Sequence, residues 1–186
     1  MKTKNLCLAL ADIQAMYPNT DFSGALETVR QRAREHPTPL GLSAEYLVEG
    51  LKICLECNCV AFDEKFYIPC RGCAQGSCQA CQFTDLWIGD ITLKHTSTSK
   101  VNTESFSIYR DDGKDIIEDK DIAEYTTQLN SLHPYLKWDV RTGREGGHFD
   151  LWIMIIDCKI EWRNYVKTPP LYVHRTSCHD PCQEHP

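Results

Sequence analysis

The chain opens with an unbroken apolar run, Leu6-Cys7-Leu8-Ala9-Leu10-Ala11, closed by Asp12. That pattern predicts a strand buried on both faces. Tyr17-Pro18 marks the turn that follows. From Ser23, an N-cap residue type, Leu26, Val29 and Ala33 share one helical face while Arg30, Arg32 and Arg34 lie away from it. Pro37-Thr38-Pro39 breaks this helix, and Ser43 caps a second with Leu47, Val48, Leu51, Cys54 and Leu55 at helical spacing. This register places Cys54 in the core and Cys57 at the fraying end. Residues 60–68 read as a short hairpin with bulk from Phe62, Phe66 and Tyr67. A small-residue loop, 71–77, then leads into a helical pattern of Phe83, Leu86, Trp87 and Ile88.

The polar stretch 94–104 reads as a loop. A second hairpin follows over 105–118, with Tyr109-Arg110-Asp111-Asp112 near its tip. Asp112-Gly113 is itself a favoured hairpin turn. Residues 119–132 give the clearest helix, with Ile122, Tyr125, Leu129 and Leu132 on one stripe and acids in the first turn. His133-Pro134 ends it. A strand over 136–140 and a third hairpin, 149–156 with 160–166, complete the pattern, and Trp152, Trp162 and Tyr165 point to one covered face. The order of elements describes an α+β domain with a largely antiparallel sheet and helices on one face. It spans 1–168, and a Pro-, His- and Cys-rich tail, 169–186, reads as loose.

Composition adds three constraints. Apolar residues at 42% and charged residues at 25% are ordinary for a folded domain. Lys2 and Lys4 ahead of the first apolar run imitate a secretory signal, but Asp12 cuts the run short, and no stretch reaches the roughly 20 apolar residues of a membrane span. An intracellular protein, cytoplasmic or nuclear, is expected. The formal net charge of -6 argues against a self-sufficient nucleic-acid binder, which needs clustered Lys and Arg. Eleven cysteines include Cys70-x-x-Cys73 and Cys78-x-x-Cys81, with Cys54, Cys57 and Cys59 upstream. Paired CxxC motifs suit zinc, and a cysteine-rich zinc-binding interaction module is one reading. Only four residues separate the pairs, tight for a ribbon, so the thiols are read instead as small packed hydrophobes.

Asp12 at a strand end and Asp111 with Asp112 at a hairpin tip can share one edge of an antiparallel sheet. Three carboxylates crowded together repel unless cations occupy them, and two Mg²⁺ ions roughly 4 Å apart are the usual arrangement for in-line phosphoryl transfer. A strand-end Asp and a hairpin turn are the structural alternative.

Several segments together resemble the reverse transcriptases of Penelope-like retroelements. They are Asp12-Ile13-Gln14-Ala15-Met16-Tyr17-Pro18, Gly41-Leu42-Ser43 through Cys57-Asn58, Gly72-Cys73-Ala74-Gln75-Gly76 through Thr84-Asp85-Leu86, Tyr109-Arg110-Asp111-Asp112, Leu129-Asn130-Ser131-Leu132, Phe149-Asp150-Leu151 and Lys167-Thr168-Pro169. The resemblance implies the palm of an RNA-directed DNA polymerase that extends a DNA primer on an RNA template with deoxynucleoside triphosphates. Asp12 and Asp111 would hold metal, with Asp112 beside them and the Ile13 carbonyl as a further ligand. Tyr17 would lie under the sugar and reject a 2′-hydroxyl, Gln75 and Gly76 would lie against nucleotide and template, and Lys137 would reach the triphosphate. Pro69-Cys70 and His148 depart from the family pattern. Fingers and thumb are expected to be missing, which fits the acidic balance and predicts weak activity in isolation; a non-catalytic palm kept as a scaffold is the further alternative.

Overall fold

The structure, a computed structural model, describes residues 5–165. Lys2, Lys4, the Lys167-Thr168-Pro169 match and the tail 169–186 lie outside them. Strand β1 (Leu6–Ile13) is an inner strand of an antiparallel four-stranded sheet. Across that sheet the order is β4 (Ser107–Tyr109), β5 (Asp112–Glu118), β1 and β6 (Trp138–Gly143). Strand alternation sends Cys7, Ala9, Ala11 and Ile13 into the main core and Leu8, Leu10 and Asp12 to the opposite face.

Helices α1 (Phe22–Glu35), α2 (Ala44–Glu56), α3 (Ala80–Thr98) and α4 (Ile122–Ser131) supply the rest of that core through Val29, Val48, Leu55, Trp87, Tyr125 and Leu129. Helix α1 packs against both α2 and α3. On the other face a second sheet, β7 (Glu145–His148), β8 (Leu151–Ile156) and β9 (Lys159–Asn164), lays Ile153 and Ile155 against Leu8. Gly146 makes that approach possible, since a Cβ there would stand 2.6 Å from Leu10 Cδ1. A two-stranded hairpin, β2 (Val60–Phe62) with β3 (Lys65–Tyr67), stands apart with its residues exposed. The fold is α+β with antiparallel sheets, as the element order predicts, and no helix among the described residues is long and apolar enough to cross a membrane.

Several local expectations are corrected. Asp21, not Ser23, caps α1, accepting from the Ser23 and Gly24 N–H groups. Helix α3 runs on through Thr98, because Ile91, Thr92 and His95 continue its buried stripe. Strand β7 was hidden in the sequence by its two glycines, which carry no side chain to alternate. Cys54 is exposed, as are Cys57, Cys59, Cys70 and Cys78, whereas Cys7 and Cys73 are buried, so packing as small hydrophobes describes only the latter two. The turn of the β4–β5 hairpin is Arg110-Asp111, since Tyr109 pairs with Asp112 and Gly113 lies inside β5 opposite Ile108 and Ala11.

One buried carboxylate sits in this core. Asp115 on β5 has no exposed surface; its Oδ1 accepts from the Ser105 hydroxyl and the Ile116 N–H, while its Oδ2 has no hydrogen-bond partner. Burial raises its pKa, so the folded state favours the protonated acid. The stability available to the protonated form is complete below the unfolded pKa of about 3.9 and is lost as pH rises through the higher folded value. Asp115→Asn is therefore expected to stabilise the fold at pH 7 by about 1–2 kcal/mol and to change little at pH 3. Urea unfolding at the two pH values measures this; equal midpoints for both proteins at pH 7 would contradict it.

Candidate functional site

The register of three strands builds the centre of the site. Asp12 on β1 stands opposite Asp112 on β5 and, on its other side, opposite Asp139 on β6. Residues directly opposite share a face, so three carboxylates form one row across the sheet. Asp111 adds a fourth from the adjoining turn, fixed there because its carbonyl accepts the Ile13 N–H at 2.9 Å. Burial first, and then the charges of Asp112 and Asp111, raise the Asp12 pKa; Arg141 partly opposes them, and its Nε lies 4.0 Å from Asp139. The turn that presents Asp111 places Arg110 at φ +58°, a left-handed conformation that a non-glycine residue adopts at some cost. Because N–H and C=O of one strand residue face the same neighbour, the Ile13 carbonyl is directed to the Asp111 side.

A second wall rises from the segment after β1. Tyr17 opens a short 3₁₀ turn, and its carbonyl accepts the Cys73 N–H at 2.8 Å while the Thr20 carbonyl accepts the Gly72 N–H at 2.8 Å. Gly72 is required by this approach: its φ is +82°, and a Cβ there would lie 2.4 Å from the Pro18 carbonyl oxygen. The glycine loop is thus clamped to the chain that leaves Asp12. Gln75 and Gly76 sit beyond the clamp, exposed, with Gly76 at φ +98° and open space around it. Lys137 is exposed; its carbonyl accepts the Gln14 N–H at 2.9 Å, so it flanks the same end of β1.

Asn130 fixes the third carboxylate strand. Its side chain accepts from the Trp138 N–H at 3.0 Å and donates to the Trp138 carbonyl at 3.2 Å, tying α4 to the first residue of β6. On the face of the row, Asp12 and Asp112 line a cleft of about 370 Å³ with Arg141, Glu145, His148 and Trp152. His148 is buried there, and that burial lowers its pKa, so it is neutral at pH 7. The tip residue Phe149 meets the Tyr109 ring edge-to-face, with centroids 5.1 Å apart.

The structure therefore brings Asp12, Asp111, Asp112, Ile13, Tyr17 and Lys137 to one end of the sheet, with Gln75 and Gly76 on the loop clamped beside it. Sequence reading missed Asp139, and it included Asn130 in a matching segment without giving it a role. Asp139 had a signal, an acid between Trp138 and Val140 in a predicted strand, but nothing local named its partner strand. Hard carboxylate oxygens on adjacent strands are the right donors for a divalent cation of the Mg²⁺ kind. Among the described residues, no three His, Cys, Asp or Glu side chains are grouped as they would need to be to hold a metal ion. A fit therefore calls for side-chain rotation on a backbone already in register.

No family model and no curated protein matches the sequence. Solved structures do resemble the fold. Apo telomerase from Candida tropicalis, truncated from the C-terminal domain, aligns with a TM-score of 0.62 at 15% identity, covering 87% of this chain and 36% of that one. Candida tropicalis telomerase in complex with the TWJ fragment of telomeric RNA gives 0.63 at 14% identity, covering 88% and 30%. The chain thus spans about a third of either neighbour, and the likeness shows the fold alone.

The raised Asp12 pKa has a sign that can be checked. The penalty is absent below the unfolded pKa of about 3.9 and grows as pH rises through the folded value. In metal-free buffer, Asp12→Asn should gain a few tenths of a kcal/mol, roughly, at pH 7, because solvent screens most of the repulsion between these partly exposed carboxylates, and nothing at pH 3. A variant no more stable than the parent at pH 7 would show that the carboxylates do not repel as placed.

Proposed function

We propose that this chain is palm region of an RNA-directed DNA polymerase of the Penelope-like kind, acting by two-metal nucleotidyl transfer. The observation that carries the reading is the register that sets Asp12 opposite Asp112, with Asp111 hydrogen-bonded to the next residue of β1. The ordered sequence motifs and the polymerase-like fold support it. Asp12, Asp111 and the Ile13 carbonyl would hold Mg²⁺, with Asp112 and Asp139 adding negative potential. Bound there, Mg²⁺ supplies Lewis acidity and charge neutralisation for the primer 3′-hydroxyl and the triphosphate.

The chain's own residues do the positioning. Tyr17 presents its ring beside the metal-binding edge, where a sugar with a 2′-hydroxyl meets a wall. Gln75 and Gly76 offer an amide side chain and bare backbone to the base pair being formed, and Lys137 offers a cation to the triphosphate. In the full-length parent the partners are an RNA template, a DNA primer and deoxynucleoside triphosphates. One observation favours a second reading, a palm retained as a non-catalytic scaffold: the carboxylates are not grouped as a ready metal shell.

Primer extension on an RNA template with Mg²⁺, by the chain joined to the sequence upstream of it in its reading frame, separates the two. Asp111→Asn and Asp12→Asn should each reduce extension by about 100-fold or more, and Tyr17→Ala should admit ribonucleotides. Extension by the parent that survives Asp111→Asn would remove the metal assignment, and a folded parent with no extension at all would favour the scaffold.

A further inference from the structure

The first two turns of α3 meet the Tyr17 segment through polar groups as well as apolar ones. The Tyr17 hydroxyl lies 3.2 Å from Cys81 Sγ, across 64 positions of sequence, in a partly buried contact. One turn further, Thr84 Oγ1 lies 3.3 Å from Thr20 Oγ1 with both residues fully buried. On the Cys81 side of the helix, four residues on, Asp85 Oδ1 is buried and has no hydrogen-bond partner. Arg110, on the hairpin turn, is close enough to act electrostatically on Tyr17, Cys81 and Asp85 together. These four residues come from the β1 exit, α3 and the carboxylate hairpin, the three parts on which the proposed nucleotide site rests.

A Tyr ring that discriminates by shape must be held, since its χ1 and χ2 are otherwise free to move the ring away. The backbone clamp at Gly72 and Cys73 fixes where the Tyr17 main chain runs but not where the ring points. Among the described residues, the hydrogen bond that restrains the phenol end is the one to the thiol of Cys81. Helix packing alone does not require a thiol here: alanine fits the same small space but offers no hydrogen bond, whereas serine keeps one.

We propose that Cys81 is a positioning residue for Tyr17, and that its hydrogen bond to the phenol sets how well the site separates deoxyribose from ribose. This rests on the nucleotide site proposed above. Cys81 touches neither metal nor triphosphate in this account; it acts through the Tyr17 ring. The burial and hydrogen bonding that push the Tyr17 phenol up to about 12, with the Cys81 contact the larger cause, agree with a phenol that stays protonated and paired at pH 7.

The test has two arms on the full chain. In the first, alkylation of Cys81 by iodoacetamide is followed by peptide mass spectrometry in the parent and in Tyr17→Phe. Loss of the phenol should change the rate by about fivefold, the worth of one hydrogen bond, and an unchanged rate overturns the contact. In the second, calorimetry with Mg²⁺ gives the affinities for dATP and ATP. Cys81→Ala should lower the dATP preference by about fivefold and Cys81→Ser should restore it. An unchanged preference in Cys81→Ala, or no rescue by serine, overturns the proposal while leaving the polymerase reading intact. A parent that binds neither nucleotide overturns both, and circular dichroism of each variant shows that it remains folded.

Discussion

The structure depends on a single register. Strand β1 buries Cys7, Ala9, Ala11 and Ile13 against the helices, so alternation leaves Asp12 on the other face. A slip of one residue would drive Asp12 into the main core and push Leu8 and Leu10 into the space that Ala9 and Ala11 fit, a cost far above what mutual repulsion of carboxylates can exert. Apolar burial therefore holds a row of like charges in place. That is why Asp112, Asp12 and Asp139 stand opposite one another, at the expense of a raised Asp12 pKa.

Around that row the chain uses contacts to the backbone, one of them from the Asn130 side chain, to bring distant segments to the same end. Gly72 against Pro18 ties the glycine loop to the β1 exit, Asn130 ties α4 to β6, and the Asp111 carbonyl ties the hairpin to Ile13. Each of these lies between groups that a side-chain change elsewhere would not alter. The candidate side chains are then supplied by neighbouring positions, with Tyr17, Asp111, Lys137 and Asp139 each within two residues of such a tie. By contrast the β2–β3 hairpin makes no comparable tie, and Phe62 and Phe66 remain largely exposed.

Much of this was legible in the sequence where a local rule governs. The apolar run of β1, the stripe of α4 and the β2–β3 hairpin follow from periodicity. Asp12, Asp111 and Asp112 could be linked because a strand end and a hairpin tip have few ways to meet. What was not legible depends on partners remote in sequence. Asp112-Gly113 is the better turn by propensity, but pairing Gly113 with Ala11 takes it into the strand and moves the turn to Arg110-Asp111. Cys54 falls at a helical apolar position, but that position of α2 is exposed. Asp139 becomes part of the site only because β6 lies beside β1, a neighbour relation no local pattern encodes.

The proposal at the centre of this reading is that the cross-strand carboxylates bind a divalent cation. Manganese, which takes the same oxygen ligands and is visible by electron paramagnetic resonance, tests it directly. Free Mn²⁺ should disappear from the spectrum on addition of the chain and return when Mg²⁺ competes. Asp12→Asn should abolish most of that binding, whereas Asp157→Asn, in the remote β8–β9 turn, should leave it unchanged. Equal Mn²⁺ binding by the parent and Asp12→Asn would contradict the account.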